Sequence, residues 1–265
     1  MRVSVLGSGS RGNCLVIDGH ATRIVVDVGF GPRATATRLR ALGIAPESIA
    51  GAVITHEHQD HAQGAPDART KWRWSLIGTP GTLQAMSLGM ATARLLPTAV
   101  ETPLVFEGLR ITLHEIPHDA SAPAAVVIED LRTGERVGVA HDLGVVPVRL
   151  VEAFRDVDIA VVESNHDPIM LREGPYPPML QRRVSGGRGH LSNAQCAAWL
   201  RDIAGPRLRH VVLAHLSETN NTAALATDSA RAALGAAGCR ATVIAAQQRS
   251  PVTVGAAPDR QMTLW

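Results

Sequence analysis

The sequence predicts an α/β fold, a four-layer αββα sandwich with two sheets face to face and helices over both outer surfaces. Three observations point there. Short apolar runs set off by turn residues recur in both halves of the chain, the pattern of strands. Segments with helix start and stop signals accompany the strand-rich stretch of each half. Hydrophobic residues make up 45% of the 265 but aromatic ones only 3%, so the core must be built from Val, Leu, Ile and Ala.

Taken in order, Val3–Leu6, Cys14–Ile17 and Arg23–Asp27 read as an antiparallel meander joined by Gly-rich turns. Arg33–Leu42 reads as a helix that Gly43 ends, with Pro46 beyond. Gly51–Thr55 is a buried strand running straight into a histidine cluster, and Thr82–Leu88 is helical. Leu104–Phe106, Leu109–Ile116, Ala124–Glu129 and Arg136–Ala140 are strands, Val148–Phe154 a helix and Asp158–Val162 a strand. Residues 164–190, rich in Pro, Gly and Arg, read as a long connection of the kind that is functional or disordered. Ser192 and Gln195 spell a capping box for a helix that Gly205-Pro206 ends, with Cys196, Trp199, Leu200 and Ile203 on its apolar face. Val211–Ala214 is a strand, Thr222–Leu234 a helix and Ala241–Ala245 the last strand. One domain over residues 1–255 and a loose tail over 256–265 complete the reading.

Composition excludes several classes. Cys14, Cys196 and Cys239 lie far apart, so no disulfide framework is expected and a reducing, cytoplasmic setting is. No apolar stretch suits a signal peptide or a membrane span, so no membrane partner is expected. Few aromatics argue against a groove that holds single strands by base stacking. The net charge is only +2, and the basic residues are one lysine and 25 arginines, so an anionic substrate would be held by arginine forks.

Gly7-x-Gly9-x-x-Gly12 imitates a dinucleotide fingerprint, but the strand-like Asn13-Cys14-Leu15-Val16-Ile17 follows where a helix is required. It reads instead as a tight turn whose Ser8, Ser10 and Asn13 offer donors beside an active site. His56-Glu57-His58-Gln59-Asp60-His61 places four candidate ligands within six residues, directly after a strand. Such a strand end holds side chains together with little ordering cost. His56 and His58 can serve one ion, Asp60 and His61 a neighbour, and nitrogen with carboxylate donors suits zinc, manganese or iron. Partners must come from downstream. His118, with His114 on the same strand face as its alternative, then His141 and Asp142, His190 and His215 supply them, at strand ends or before a helix.

These residues resemble the His-x-His-x-Asp-His signature of metallo-β-lactamase-fold hydrolases, followed by His, Asp and His in order. The resemblance extends to the WalJ/YycJ-type subfamily, through LGSGSRGNC at the start, VDVGFG at 26–31, THEHQDH at 55–61, PHDA at 117–120, HDLG at 141–144, ESNHD at 163–167, GPYPPML at 174–180, GHLSN at 189–193 and AHLSETNN at 214–221. His141 departs from it, since the subfamily commonly has Thr there. The resemblance implies two divalent cations, zinc or manganese. His56, His58 and His118 would hold one, Asp60, His61 and His215 the other, with Asp142 between them and Asp27 orienting a ligand. It further implies that His190 faces the scissile phosphate and that Asp60 accepts a proton. His114, His20 and His210 are left without a role.

Two cations make a water nucleophilic at neutral pH, and a group on the far side must stabilise the leaving alkoxide. His190 suits that position, before a capped helix whose end favours phosphate. Arg172, Arg182, Arg183 and Arg188 lie in the adjoining connection, and the last three are candidate substrate-binding residues. The resemblance implies a 5′→3′ exonuclease acting on double-stranded DNA, linked to repair. A small-molecule phosphodiesterase, a lactone or thioester hydrolase and a non-catalytic metal-binding regulator are the competing readings.

Overall fold

The structure, a computed structural model, describes residues 1–87 and 94–258. Strands β1 (Arg2–Gly7), β2 (Cys14–Asp18), β3 (Arg23–Val26), β4 (Gly51–Val53), β5 (Ser75–Gly78) and β6 (Leu95–Pro97) lie side by side in one sheet. Strands β7 (Leu104–Phe106), β8 (Leu109–Glu115), β9 (Ala124–Asp130), β10 (Arg136–Ala140), β11 (Ile159–Glu163), β12 (His210–Ala214) and β13 (Thr242–Ala245) form the other. Strand β14 (Val252–Gly255) returns to the first sheet and pairs antiparallel with β1.

The two sheets share one plan. From β14 to β3 the first is antiparallel, and from β3 to β6 parallel. From β7 to β10 the second is antiparallel, and from β10 to β13 parallel. In consequence β3, β4, β8, β10, β11 and β12 can carry their C-terminal ends to one edge of the sandwich, where ligands gather in open α/β sheets.

Alternation along the strands explains the layers. Val3, Val5, Ile17, Ile24 and Val26 meet Ile111, Leu113, Val126, Val139 and Val161 between the sheets. The opposite faces pack on helices. Leu39 of α1 (Pro32–Ala41) and Trp74 lie with Val25 and Ile54 outside the first sheet. Short helices α2 (Gln59–Ala62), α3 (Ala65–Lys71) and α4 (Pro80–Ala85) complete that layer. Outside the second sheet lie α5 (Val148–Phe154), α8 (Asn193–Ile203) and α9 (Ala223–Ala236), while α6 (Pro168–Glu173) and α7 (Pro178–Val184) belong to the connection from β11 to α8. Over that sheet Phe154, Trp199, Leu200 and Leu234 join one apolar cluster. Each buried Val, Leu, Ile or Phe contributes roughly 1.5–3 kcal/mol, enough in sum to carry a strained site at one edge. The αββα arrangement is the one the sequence predicts. No helix among the described residues is long and apolar enough to cross a membrane.

Several elements differ from expectation. Residues 164–190 are not one irregular connection, because α6 and α7 lie within them. Each helix starts on a proline at its first position, where the missing N–H costs nothing, and Asp167 caps α6 by accepting from Ile169 N and Met170 N. The strand expected over Ala241–Ala245 is present as β13 but is not the last, since β14 follows it. Strands β5 and β6 and helices α2 and α3 were not expected from the sequence. The helix expected over Thr82–Leu88 runs over Pro80–Ala85, and Leu88 lies outside the described residues. Of the expected tail, 256–258 carry no regular structure and 259–265 lie outside the described residues. The capping box at Ser192 and Gln195 is formed.

Candidate functional site

The edge reached by the parallel strand ends is built from tight turns. Asp27, Asp142 and His215 each follow the end of a strand, and each takes a left-handed backbone, with φ of 59°, 53° and 54°. Non-glycine residues adopt this region at a cost of about 1–3 kcal/mol. The turn stops the strand and sends the side chain across to its neighbours. Gly29 is required for a different reason. A Cβ there would collide with the Asp60 carbonyl, which accepts from Asn13 N at 2.7 Å and so anchors the histidine segment.

The side chains converge in overlapping groups, two of which hold the residues expected as ligands, while Asp142, Glu163, His190 and His215 form a third and Asp27, His61 and His141 a fourth. His56, His58 and His118 offer ring nitrogens within 4.8 Å of one another, with His118 Nε2 3.3 Å from His58 Nδ1. Asp60, His61, Asp142 and His215 form the second group within the same limit. Asp142 stands between them, with Oδ2 2.8 Å from His61 Nε2 and 3.4 Å from His56 Nε2, and Oδ1 2.9 Å from His215 Nδ1. Asp60 Oδ2 is 3.5 Å from both His61 Nε2 and His215 Nε2. His56 Nε2 and His215 Nε2 are buried and make no hydrogen bond. Uncompensated buried nitrogens facing carboxylates form a donor set that fits divalent cations.

Backing groups hold the rings. Asp27, fully buried, accepts from His61 Nδ1 at 2.7 Å and from Thr55 N at 2.9 Å. His118 Nδ1 donates to the Arg188 carbonyl at 3.1 Å. Glu163, the fully buried end of β11, accepts from His190 Nδ1 at 2.7 Å, His215 Nδ1 at 3.1 Å, and the backbone N–H groups of Leu143 and Leu191 at 3.1 Å each. Residue 163 was not singled out from the sequence as part of the site. Its signal was a charged residue closing the otherwise apolar run Ile159-Ala160-Val161-Val162.

Burial and charge compete throughout. Burial disfavours the charged form of His61, but Asp142 and Asp27 outweigh it and raise its pKa well above the ordinary value. His215 is raised in the same way, with Asp142 foremost. At His56 burial wins, joined by the charge of His61, and the pKa falls well below the ordinary value. Burial would raise Glu163, but His190 lowers it to about 2. Burial would lower His190, yet Glu163 and Asp142 raise it to about 9.

The remaining candidates fall in distinct places. Ser8 and Asn13 are buried behind the site and do not face outward as donors. Ser8 Oγ accepts from His215 N at 2.7 Å and donates to Asn13 Oδ1 at 3.1 Å, while Asn13 Nδ2 is 3.0 Å from His61 Nε2. Ser10 is exposed in the same turn. Arg183 spends its fork on Asp119, at 2.8 and 3.1 Å, whereas Arg182 and Arg188 are exposed. Arg172 pairs with Glu173. His141 is buried with Nδ1 3.8 Å from Asp27 Oδ2, and neither of its ring nitrogens has a hydrogen-bond partner. His114 pairs with Glu101 at 3.0 Å and His210 with Thr242 at 2.7 Å, and neither they nor His20 join the two groups. His190 is within reach of Asp142, Glu163 and His215, and its ring stacks on His215 with centroids 5.2 Å apart.

A family model described as a beta-lactamase superfamily domain matches residues 22–216. The chain is 29% identical over 229 residues to the exodeoxyribonuclease YycJ of Bacillus anthracis, covering 85% of this chain and 86% of that one. It is 28% identical over 230 residues to the exodeoxyribonuclease WalJ of Streptococcus pneumoniae, covering 85% of each. Among solved structures, the metallo-beta-lactamase fold protein YhfI from Bacillus subtilis matches with a TM-score of 0.71 at 13% identity, covering 96% of this chain and 99% of that chain, a likeness of fold alone.

Proposed function

Since this chain belongs to the beta-lactamase superfamily and is a metal-dependent hydrolase, we propose that the bond it cuts is a phosphodiester, as a 5′→3′ exonuclease on double-stranded DNA. The observation that carries the phosphodiester reading is His190. It is fastened through Nδ1 to the buried Glu163 and stands 3.4 Å from Asp142, in a further cluster with Asp142, Glu163 and His215 that adjoins the second group, and in this reading the two groups are complete without it. The two relatives named exodeoxyribonucleases, each matched over 85% of this chain, support DNA as the substrate.

In this reading His56, His58 and His118 hold one divalent cation, zinc or manganese, and Asp60, His61 and His215 a second, with Asp142 serving both. Bound cations supply Lewis-acid stabilisation of the phosphate and a nucleophilic water at neutral pH. The chain does the rest. Asp27 fixes His61, and the Arg188 carbonyl fixes His118, so that each presents Nε2 to its group. Asp60 is held ionised by His215 and His61 against burial, and accepts the proton of the attacking water. As the bond from phosphorus to the 3′ oxygen breaks, His190 gives that oxygen a proton, which its raised pKa keeps available at neutral pH. Arg182 and Arg188, both exposed, are the arginines that would receive backbone phosphates.

The test is an assay of the purified protein, loaded with manganese or zinc, on duplex DNA labelled at either end. A lactone and bis(p-nitrophenyl) phosphate are assayed beside it. Mononucleotides released progressively from the 5′ end are expected. Lactone turnover without phosphodiester cleavage would overturn the whole reading, and cleavage of the small diester alone would overturn DNA as substrate.

A further inference from the structure

Next to the two ligand groups lies a cavity of about 630 Å³ that has His118 in its wall. Its volume falls in the roughly 300–1,000 Å³ range of small-ligand pockets. The wall is largely apolar, with Pro80, Ala99, Ile116 and Pro123 among its residues. The hydroxyls that line it are already committed. Thr79 Oγ1 donates to the Ala122 carbonyl at 2.8 Å, and Ser121 Oγ donates to Glu57 at 2.7 Å. Arg149, also in the lining, lies 3.4 Å from Glu115. Arg188 differs from these. Its carbonyl anchors His118, while its exposed side chain lines the cavity, and no hydrogen bond or ion pair of its guanidinium is found among the described residues.

We propose that this cavity is the subsite for the terminal nucleotide, whose 3′ oxygen leaves in the reaction proposed above. The inference rests on that reading and adds to it. Sugar and base lie against the apolar wall, and the nucleotide's own 5′ phosphate meets the free guanidinium of Arg188. Because the wall's hydroxyl protons are already donated within the protein, its hydroxyls offer no free donor to a base edge, so the subsite accepts all four bases alike. The cavity shares His118 with the ligand groups, so a nucleotide seated there has its 3′ side toward the reacting centre.

The manganese-loaded protein hydrolysing bis(p-nitrophenyl) phosphate provides the test, with the four deoxynucleoside 5′-monophosphates and inorganic phosphate as inhibitors. The monophosphates should inhibit at least about tenfold more strongly than inorganic phosphate, with little spread among bases. Arg188→Ala should raise their inhibition constants about tenfold to a hundredfold, the size of a charge-assisted hydrogen bond. Arg188→Lys should recover part of this. Ala99→Trp, which fills the cavity from an exposed position, should weaken the monophosphates and leave inhibition by inorganic phosphate in place. Monophosphates no better than inorganic phosphate, or equally good in both Arg188→Ala and Ala99→Trp, would overturn the subsite. Failure of the protein to degrade DNA while these inhibition results hold would instead overturn the exonuclease reading and leave the subsite standing.

Discussion

In the first sheet, the side chains that reach the site come from two stretches, Asp27 and the segment 55–61. In the second, His118, Asp142, Glu163, His190 and His215 arrive from five separate segments. Each side is backed by one buried carboxylate, but the two are loaded differently. Asp27 accepts from a single site histidine and from Thr55, whereas Glu163 accepts from two histidines and two backbone N–H groups. The first side therefore depends on local geometry. The second depends on correct pairing of β10, β11 and β12, and one carboxylate there ties a ligand candidate to the candidate proton donor.

The largest effect should come from the residue that both sides share. Asp142→Ala is expected to lower turnover well beyond the roughly 10–100-fold typical of losing an outer partner, and to reduce bound metal. Metal content and phosphodiester turnover measured on the same preparation would check it, and full occupancy with near-normal turnover would remove Asp142 from the centre. His190→Ala comes next. Its turnover should fall about 10²–10⁴-fold, the span for a positioned acid or base, with both cations retained. Loss of a cation would make His190 a ligand, and a small change in turnover would make it a packing residue.

The carboxylates themselves give the sharpest contrast. Asp27→Asn and Glu163→Gln should each cost about 10–100-fold, but in different quantities. The first should mainly weaken metal affinity and recover with excess cation. The second should lower turnover even at saturating cation, since His190 loses its anchor. If excess cation rescues both variants equally, the proposed division of labour between the sheets is wrong. The smallest effect is expected at Arg182, exposed and away from both groups. Arg182→Ala should weaken DNA binding less than tenfold and reduce the dependence of log affinity on log salt by about one. An unchanged salt slope would take Arg182 off the DNA path.

The same contrast explains what could be read from the sequence. His56, His58, Asp60 and His61 were legible because their chemistry is written in six consecutive residues. His118, Asp142 and His215 were legible only together, as ligand-type residues at the ends of apolar runs. Glu163 was not, because its four hydrogen bonds depend on where Leu143, Leu191, His190 and His215 land in space. Ser8 and Asn13 were noticed for their donors, but only packing shows that those donors turn inward. The partner of Arg183, Asp119, lies 64 residues away and left no local trace. Among elements, β5, β6 and β14 carry apolar cores of two or three residues that abut Gly78, Pro97, Pro251 or Gly255, residues that also mark turns. Helices α6 and α7 were concealed because prolines that open a helix also mark loops.

The left-handed turns at Asp27, Asp142 and His215 have a consequence for engineering. At Asp142 and His215, whose buried Oδ1 and Nε2 have no hydrogen-bond partner, glycine would relax the backbone and remove an uncompensated group, so a library screened for heat resistance alone should enrich those replacements. The enriched proteins would fold well and turn over nothing. A thermostabilisation campaign on this chain therefore needs an activity gate in every round, with most of its gains sought in the outer helical layers.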